Sequence, residues 1–456
     1  MADPGASPAI GIRTAGGITV VVPGRVDLLT PYVLLEQENW FEDEIVFLCR
    51  RLAPGMRVVD IGANFGLYSL SLANSVGPTG RVWSVEPSSA TAAWLRQSVD
   101  INELAQVTVI QKALSDRVGS ARLSLEANSE LNSLANGGGG GATEEVPLTT
   151  LDALAAECGW EGVDFLKLDA EGEEERIVAG GARFLASADP LVMFEIRHGE
   201  RLNLQLVVRL AAAGYRSYRL VPGLGILVPY DAAAQVDPFQ LNLFACKPGR
   251  AAMLERAGAL ARAAGPVPAP ADVLAHHHAA HDASLDPAMR YAHLRAAYTR
   301  VNALCAGAND AYLLGTCARI ARELGERQRA VDLLNQALGL CLHGDPGVPS
   351  GPFLPACAAF DKIDPRGRQA GWLKAALLDE LVTLSAYSTY FAHGTALMQP
   401  TLDRLEALKA TGFQRAPMER RRQLMRVRSG LQAGPLPDAG LMAHGPDNLN
   451  PELWGG

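Results

Sequence analysis

The sequence predicts an α/β domain with a doubly wound, mostly parallel sheet, followed by an all-α domain. Three observations lead to this fold class. The length of 456 residues corresponds to two or three domains. Short β-branched runs alternate with helical stretches up to about residue 248, whereas Ala, Leu and Arg dominate after it. The composition is 48% hydrophobic and 20% charged, which supplies real cores and excludes a disordered or collagen-like chain.

Seven short segments of the first part are predicted as strands. Several of them are nearly continuous apolar runs, which is typical of strands buried on both faces of a parallel sheet. Helical segments such as 94–102 and 202–213 separate them. We therefore expect a seven-stranded sheet. The predicted strands are Arg57–Ile61, Arg81–Glu86, Val107–Gln111, Asp164–Asp169, Leu191–Ile196, Tyr215–Leu220 and Leu241–Cys246.

One segment interrupts this pattern. Residues 121–125 and 144–148 alternate in character and flank five consecutive glycines, Gly137–Gly141. The pattern predicts an inserted β-hairpin with a flexible tip.

The second part begins after a proline-rich stretch. Residues 265–270 contain three prolines, which remove backbone donors and disfavour helix in the residues before them. The predicted division is 1–248 for the α/β domain, 249–273 for a linker, 274–435 for the helical domain and 436–456 for an irregular tail.

Within the helical domain, apolar residues recur at helical spacing on both sides of Gly325. This spacing predicts a helical hairpin over 311–342 that resembles one tetratricopeptide-type unit. No second copy follows at a period of about 34 residues, so we expect no solenoid. Further helices are predicted over 369–390, 397–411 and 418–431.

Charge and cysteine usage limit the function classes. The formal net charge of -8 gives no overall positive charge to attract the phosphate backbone of a nucleic acid, so a nucleic-acid partner is not expected. The seven cysteines contain no CxxC pair and indicate no disulfide framework. No apolar run reaches the roughly 18 residues of a membrane span, and we expect a cytoplasmic protein.

The strongest chemical signal is the segment 58–68, an apolar strand that ends in an acid, then a turn with glycines, then a helix. Gly62 and Gly66 allow the backbone to approach a ligand closely, and the helix offers free N–H groups there. Glu86 ends the next strand, where a carboxylate can accept two hydrogen bonds from a ribose diol. The spacing Asp-x-Gly-x-x-x-Gly differs from that of NAD sites. Asp60 would repel a pyrophosphate but attract a ligand with an ammonium and a sulfonium.

These motifs resemble the class I methyltransferases that use S-adenosylmethionine, and more narrowly the FkbM family. Asp60–Gly66 resembles the family's cofactor loop, and Glu86-Pro87 its ribose-binding acid. Lys167–Gly172 resembles its Lys-x-Asp-x-Glu-Gly signature, and the segments 40–42 and 194–198 match in place and order. The resemblance covers about residues 30–248 and implies a Rossmann-like class I methyltransferase domain.

The resemblance also implies a set of site residues. The cofactor-binding residues that it implies are Asp60, Gly62, Asn64, Phe65, Gly66, Tyr68, Glu86, Pro87, Ser88, Ala113 and Ser115, with Lys112 as a further neighbour of the adenine. The catalytic candidates are Asp169, Glu195, His198, Lys167 and Glu171.

The roles within the catalytic set stay open. We expect the general base among Asp169, Glu195 and His198, although His198 could instead cap its loop. Lys167 and Glu171 either form an ion pair that positions the loop or contact the substrate. A divalent metal such as Mg²⁺ could bind Asp169 and Glu195. The hairpin with residues 131–134 lies where the family places elements close to the acceptor, so it is either a lid or a plain exposed tip.

The function that the resemblance implies is S-adenosylmethionine-dependent O-methylation of a sugar, glycan or natural product, with a bacterial glycan as the preferred acceptor. The alternatives are N- or C-methylation by the same fold, or an inactive scaffold that acts through the helical domain. The helical domain would hold the acceptor, a protein partner or a second copy of the chain.

Two further clusters stand outside this reading. His277 and His281 share a helix face at a spacing compatible with metal binding, with a fortuitous cluster as the plainer interpretation. The arginines between 415 and 428 predict a solvated basic helix face, with docking of an anionic partner as the alternative.

Overall fold

The computed structural model describes residues 8–126, 129, 132–134, 142–198, 201–266, 272–307, 309–343, 346–390 and 395–431. The predicted glycine tip at 137–141, Leu131 and the predicted tail at 436–456 lie outside the described residues.

The described residues form sixteen strands. In chain order they are β1 (Ala9–Arg13), β2 (Thr19–Pro23), β3 (Arg57–Ile61), β4 (Arg81–Val85), β5 (Val107–Ile110), β6 (Ala113–Ser115), β7 (Gly119–Ser124), β8 (Ser133–Leu134), β9 (Thr143–Thr150), β10 (Phe165–Leu168), β11 (Leu191–Glu195), β12 (Arg197–His198), β13 (Arg201–Leu202), β14 (Arg216–Val221), β15 (Ile226–Pro229) and β16 (Asn242–Cys246).

The same residues form sixteen α-helices. In chain order they are α1 (Leu29–Gln37), α2 (Asp43–Arg51), α3 (Leu67–Val76), α4 (Ser89–Ile101), α5 (Leu151–Cys158), α6 (Glu174–Ala179), α7 (Ala182–Ser187), α8 (Gln205–Ala212), α9 (Pro248–Arg256), α10 (Val273–His281), α11 (Pro287–Cys305), α12 (Ala311–Leu324), α13 (Arg327–His343), α14 (Gln369–Tyr390), α15 (Thr395–Ala410) and α16 (Ala416–Arg428).

The central sheet has eight strands in the order β15-β14-β16-β11-β10-β3-β4-β5. Neighbouring strands from β5 to β11 pair in parallel, and β16 pairs antiparallel to both β11 and β14. All seven predicted strand segments belong to this sheet. The expected count of seven is wrong, because β15 adds an edge strand through a tight turn from β14. The sequence analysis did not predict β15, because Pro222 in the turn and Pro229 at the end of the strand are typical of a loop. Within a sheet, proline is confined to edge strands such as β15.

The order of the strands determines where a ligand can bind. From β3 the chain winds outward through β4 and β5, and it then returns to place β10 and β11 on the other side of β3. The winding direction therefore reverses between β3 and β10. In an open α/β sheet, a reversal of this kind creates a crevice outside the carboxyl ends of the strands.

The predicted inserted hairpin is present. β7 and β9 pair antiparallel, with Ala121 opposite Val146, within a small sheet of order β6-β9-β7-β8. Its inward side chains, such as Leu123 and Val146, form a core of their own. The insert is therefore a folded element that is attached at the edge of the crevice.

Part of the predicted linker is folded onto the sheet. Helix α9 occupies its first residues, and Leu260 beyond it is fully buried. The amide of Leu227 donates to Ala259 O, and the amide of Ala261 donates to Leu227 O. Residues 248–261 thus pack as part of the α/β unit, because their apolar residues contact the strand β15.

The helices after the linker share one hydrophobic core with the beginning of the chain. Buried residues of β1, β2 and α1, including Val20, Tyr32 and Leu34, belong to the same apolar cluster as α11 to α16. Helix α1 packs against α14 and α16. Helices α12 and α13 form the predicted hairpin around Gly325, which has a left-handed φ of 84°. The likeness of this hairpin to a tetratricopeptide unit stays a prediction.

Two arginines of α16, Arg420 and Arg421, are buried, which corrects the expectation of a solvated basic helix face for this part of the segment. Arg421 Nε lies 2.7 Å from Glu36 Oε1, and Arg420 Nη1 lies 3.2 Å from Glu38 Oε1. Arg420 and Glu36 are 2% and 1% exposed. The arginines therefore join the last described helix to α1. Sequence inspection missed this because their carboxylate partners lie almost 400 residues away.

Among the described residues, no helix combines the length and the apolar character that crossing a bilayer requires.

We predict that the buried pair between Glu36 and Arg421 is essential for stability. Glu36→Gln removes the carboxylate that Arg421 contacts and should lower the free energy of unfolding by about 3–5 kcal/mol, measured by urea denaturation. Replacing both residues by Met should recover much of the loss, since apolar substitution of a buried pair is often neutral. Asp27→Asn, at the exposed Arg25–Asp27 pair, should cost about 0–1 kcal/mol. Equal losses from the two single variants would contradict the prediction.

Candidate active site

A cleft with about 980 Å³ of empty space lies at the carboxyl ends of β3, β4 and β10. Its walls come from the loop after β3, the end of β4, the segment 112–114 and the loop after β10. Leu123, Ser129 and Leu134 of the insert close one side. The cleft thus lies where the strand order predicts a ligand site.

The loops after β3 and β10 are in direct backbone contact. A Cβ atom on Gly62, whose φ is +76°, would overlap the carbonyl oxygen of Asp169. The amide of Asp169 donates to Ile61 O at 3.2 Å. Gly62 is therefore required for the approach of two loops, in addition to any approach of a ligand. Gly66, with φ +89°, lies against Leu95 and does not line the cleft.

The backbone holds the Glu86 carboxylate in place at the cleft wall. Its Oε2 accepts from the amide of Asn64 at 2.9 Å, and its Oε1 accepts from the amide of Ser88 at 2.9 Å. Burial raises the pKa of Glu86 to about 7. The side chain of Ser88 caps α4 and does not line the cleft, so its contribution here comes from its backbone.

Lys167 connects the two strand ends. Its Nζ lies 2.8 Å from Asp169 Oδ2, 3.3 Å from Gly62 O and 3.6 Å from Asp60 Oδ1. Burial alone would lower the pKa of Lys167, but the charges of Asp169 and Asp60 outweigh it and raise the pKa. The sequence left open an ion pair or a substrate contact for this residue. The ion pair in the structure joins Lys167 to Asp169 rather than to Glu171, and Lys167 also lines the cleft.

Asp60 lies behind the cleft wall rather than on it. It is fully buried, and its Oδ2 accepts from Ser69 Oγ at 2.6 Å. Asp60 is among the expected cofactor-binding residues, but it does not line the cleft in the described part of the structure. Its charge acts on the site through Lys167.

Three carboxylates meet beyond the ends of β10 and β11. Oxygen atoms of Asp169, Glu171 and Glu195 all lie within 4.8 Å of one another. Burial and the neighbouring negative charges raise the pKa of Glu195 well above its usual range. Glu174 supports the loop by accepting from the amides of Ala170 and Gly172. The cluster can exchange a proton, and its geometry would also accept a cation, so the Mg²⁺ expectation stays a prediction.

The residues predicted around the adenine divide into two groups. Lys112 and Ala113 line the cleft, as do Asn64, Phe65, Tyr68 and Pro87. Ser115 does not, since its hydroxyl is buried and donates to Glu173 Oε2 at 2.7 Å. The insert reaches the glycine loop where Ser129 Oγ donates to Asn64 Oδ1 at 2.9 Å. The backbone of His198 pairs in β12, but its side chain lies outside the described part of the structure.

Residues 60–217 match the family model described as the methyltransferase FkbM domain. Residues 60–217 of the chain are thus similar to the FkbM methyltransferase domain. The match begins at Asp60, ends within β14 and includes Glu86, Lys167–Gly172 and Glu195. The resemblance indicated by the sequence motifs is confirmed.

Several solved structures are similar to this chain. Methyltransferase FkbM from Methylobacillus flagellatus KT is 18% identical over 43% of this chain and 44% of its own, with a TM-score of 0.30. A SAM-dependent methyltransferase from Aquifex aeolicus is 15% identical over 48% and 92%, with a TM-score of 0.27. A SAM-dependent O-methyltransferase from Thermotoga maritima is 16% identical over 53% and 78%, also with a TM-score of 0.27. The chain thus spans less than half of the first of these proteins. No curated protein matches it.

A buried acid outside the FkbM match also lines the cleft. Glu42 accepts from Tyr68 Oη and from Trp40 Nε1, the latter at 3.2 Å. Burial raises the pKa of Glu42 above its ordinary value. The sequence indicated the segment 40–42 as family-like but assigned no role to Glu42. The hydrogen bond to Tyr68 of α3 forms only when α2 packs on α3.

A second cavity adjoins the first and lies between segments that flank the FkbM match and the helices. It contains about 1380 Å³ of empty space, and Trp40 and Glu42 line both cavities. Phe239 and Asn242 line one side of it, and Arg322 and Leu384 of the helical part line the other. Residues of the helical part therefore line a cavity that adjoins the candidate active site.

We predict that Gly62→Ala disrupts the site through its backbone. A Cβ atom there would meet the Asp169 carbonyl, which belongs to a second loop, so the variant should lose more than about 3 kcal/mol of unfolding free energy or fail to fold. Gly159→Ala is the matched control, because Gly159 has φ +63° and no atom within 4 Å of the added Cβ. It should cost about 1–2 kcal/mol. Similar losses in urea denaturation for both variants would show that the approach to Asp169 is unimportant.

Proposed function

We propose that the protein is an S-adenosylmethionine-dependent O-methyltransferase that acts on a hydroxyl of a sugar, glycan or natural product. One observation carries the proposal. The Glu86 carboxylate after β4, held by two backbone amides, and the cluster of Asp169, Glu171 and Glu195 at the ends of β10 and β11 lie at the same carboxyl edge of the central sheet. We also propose the division of the chain near residue 249 into this catalytic part and a helical part.

The described residues fit S-adenosylmethionine. Glu86 presents a carboxylate suited to a ribose diol, and the apolar side chains of Phe65 and Leu114 line the cleft near it. The acids beyond β10 suit the positive charge of a sulfonium and an ammonium. When bound, this cofactor supplies an electrophilic methyl group.

The protein's own contribution is to bring in the acceptor and take its proton. Asp169 lines the cleft, and its contact with Lys167 fixes the carboxylate. Burial and the charge of Asp169 raise the pKa of Glu195, which favours its protonated form. We propose Asp169 as the acceptor of the hydroxyl proton and Glu195 as the group that shares it. A need for such a base supports methylation of oxygen over that of a neutral amine.

The second cavity supports a polyhydroxylated acceptor. Trp40 and Phe239 offer aromatic faces, while Asp237, Gln240 and Asn242 offer polar groups. Because Trp40 and Glu42 also line the first cleft, an acceptor held there could extend its hydroxyl toward Asp169. We propose that Arg322 and Arg327 of the helical part help to select this acceptor.

Binding of the cofactor should depend on pH through Glu86. The pKa of this carboxyl in the folded protein is about 7, above its ordinary 4.5, so it is mostly protonated at pH 6 and mostly charged at pH 8. A ribose diol donates hydrogen bonds and favours the charged form. Affinity for S-adenosylmethionine, measured by calorimetry, should therefore rise by up to about tenfold per pH unit below 7 and level off above it.

Glu86→Gln should weaken binding at pH 8 and flatten this profile. The exposed Glu161→Gln should leave both the affinity and the profile unchanged. A profile that persists in Glu86→Gln would assign the titration to another group. Complete absence of cofactor binding by the wild-type protein would favour an inactive scaffold.

Turnover should separate from binding at the acidic cluster. We expect Asp169→Asn to lower methyl transfer by about 10²–10⁴-fold and Glu195→Gln by less, with a smaller loss of cofactor affinity than of turnover in each variant. The assay follows tritium from labelled S-adenosylmethionine into nucleotide-sugars, glycans and polyketides, with and without Mg²⁺ and a chelator. Transfer to nitrogen or carbon acceptors, or full turnover by both variants, would overturn the assignment of an oxygen acceptor and its base.

A further inference from the structure

A second site lies in the helical part, away from the cleft. His277 and His281 occupy successive turns of α10, and Glu323 lies near the end of α12. His277 Nε2 is 2.9 Å and His281 Nε2 is 3.1 Å from the same oxygen, Glu323 Oε2. The three side chains are 11%, 37% and 9% exposed. Two imidazole nitrogens and one carboxylate thus converge at a partly covered point.

This donor set has a chemical preference. Imidazole and carboxylate ligands together suit Zn²⁺ and similar transition metals, whereas Mg²⁺ and Ca²⁺ prefer oxygen ligands. Zinc bonds of about 2.0–2.1 Å at tetrahedral angles place ligand atoms about 3.3 Å apart. The observed separations of 2.9 and 3.1 Å need to open by only a few tenths of an ångström. Two histidines and one glutamate also leave a fourth position for water or another ligand.

The surroundings provide such a position. The histidines border a surface depression whose rim includes His278, Asp282 and Arg319. Arg319 Nε lies 3.3 Å from Glu323 Oε1. Both histidines face Oε2, and His277 Nε2 also lies 3.2 Å from Oε1. The carboxylate is therefore oriented before any ion binds.

The site lies where the helical part meets the sheet. The amide of Gly223, in the turn between β14 and β15, donates to Glu323 O at 2.9 Å, and a Cβ atom on Gly223 would overlap Glu323. Arg219 Nη1 donates to Leu324 O at 2.7 Å. Two residues close to Glu323 at this end of α12, Arg322 and Gly325, line the second cavity.

We propose that His277, His281 and Glu323 bind one Zn²⁺-class ion, which fastens α10 to α12 at the point where α12 contacts the sheet. The ion holds in place the helix end that lines the second cavity. This inference is independent of the reaction at the first cleft.

The test uses tag-free, full-length protein stripped of metal and titrated with ZnCl₂ in excess Mg²⁺, which occupies all-oxygen sites. Calorimetry should give one ion per chain, and Co²⁺ should give the visible absorption of a low-coordinate site. His281→Ala should weaken Zn²⁺ binding roughly 100-fold. Zn²⁺ should raise the Tm of the wild-type protein but not that of His281→Ala.

Two control variants make the outcome decisive. His278→Ala removes an exposed histidine from the same helix and should keep both the stoichiometry and the Zn²⁺ effect on Tm. Glu195→Gln should also keep them, which separates this site from the acidic cluster of the cleft. Stoichiometric binding that survives in His281→Ala, or no binding by the wild-type protein, would overturn the proposal. Glu323→Gln with circular dichroism of a folded protein provides a second loss-of-ligand variant.

Discussion

The ammonium of Lys167 is the interaction on which the candidate active site depends. It is 4% exposed, and it joins Asp60 at the end of β3, the Gly62 carbonyl and Asp169 beyond β10. A buried cation is costly without carboxylate partners, and the two carboxylates would repel each other without it. The buried ammonium and the two carboxylates thus stabilise one another. The contact of Gly62 with Asp169 follows from this arrangement, and it brings the two loops to the same crevice.

The helical part and the beginning of the chain form the second level of organisation. Helix α1 packs on α14 and α16, and the buried Glu36–Arg421 pair secures that contact. The segment directly after α1 carries Trp40 and Glu42, which line both cavities. Access to the site is therefore shaped by residues at both ends of the described chain. Removing the helices would expose the core they share with α1, so the two parts are not independent modules in their packing.

The local patterns predicted much of the fold. The seven strand segments, the inserted hairpin, the hairpin around Gly325 and the long helix α14 were predictable because each rests on short-range periodicity and turn residues. β15 was not predictable, because the prolines on either side of it, Pro222 and Pro229, make its segment resemble a loop. Among site residues, Glu86 and Asp169 were readable from their positions at strand ends. The burial of Asp60 and Ser115 was not, because it depends on which loop covers them.

The sequence by itself determined seven strands of the central sheet, the inserted hairpin, the FkbM motifs and the acids at the ends of β4, β10 and β11. These features depend on residues close together in the chain, where spacing reports geometry directly. Only the tertiary structure decided that Arg421 of α16 pairs with the buried Glu36 of α1 and that Glu42 lines the cleft. It also decided that Glu323 lies beside His277 and His281. Each of these contacts joins residues from 26 to almost 400 positions apart. The packing of whole helices and strands brings such partners together, and the spacing of residues along the sequence does not indicate which elements will pack.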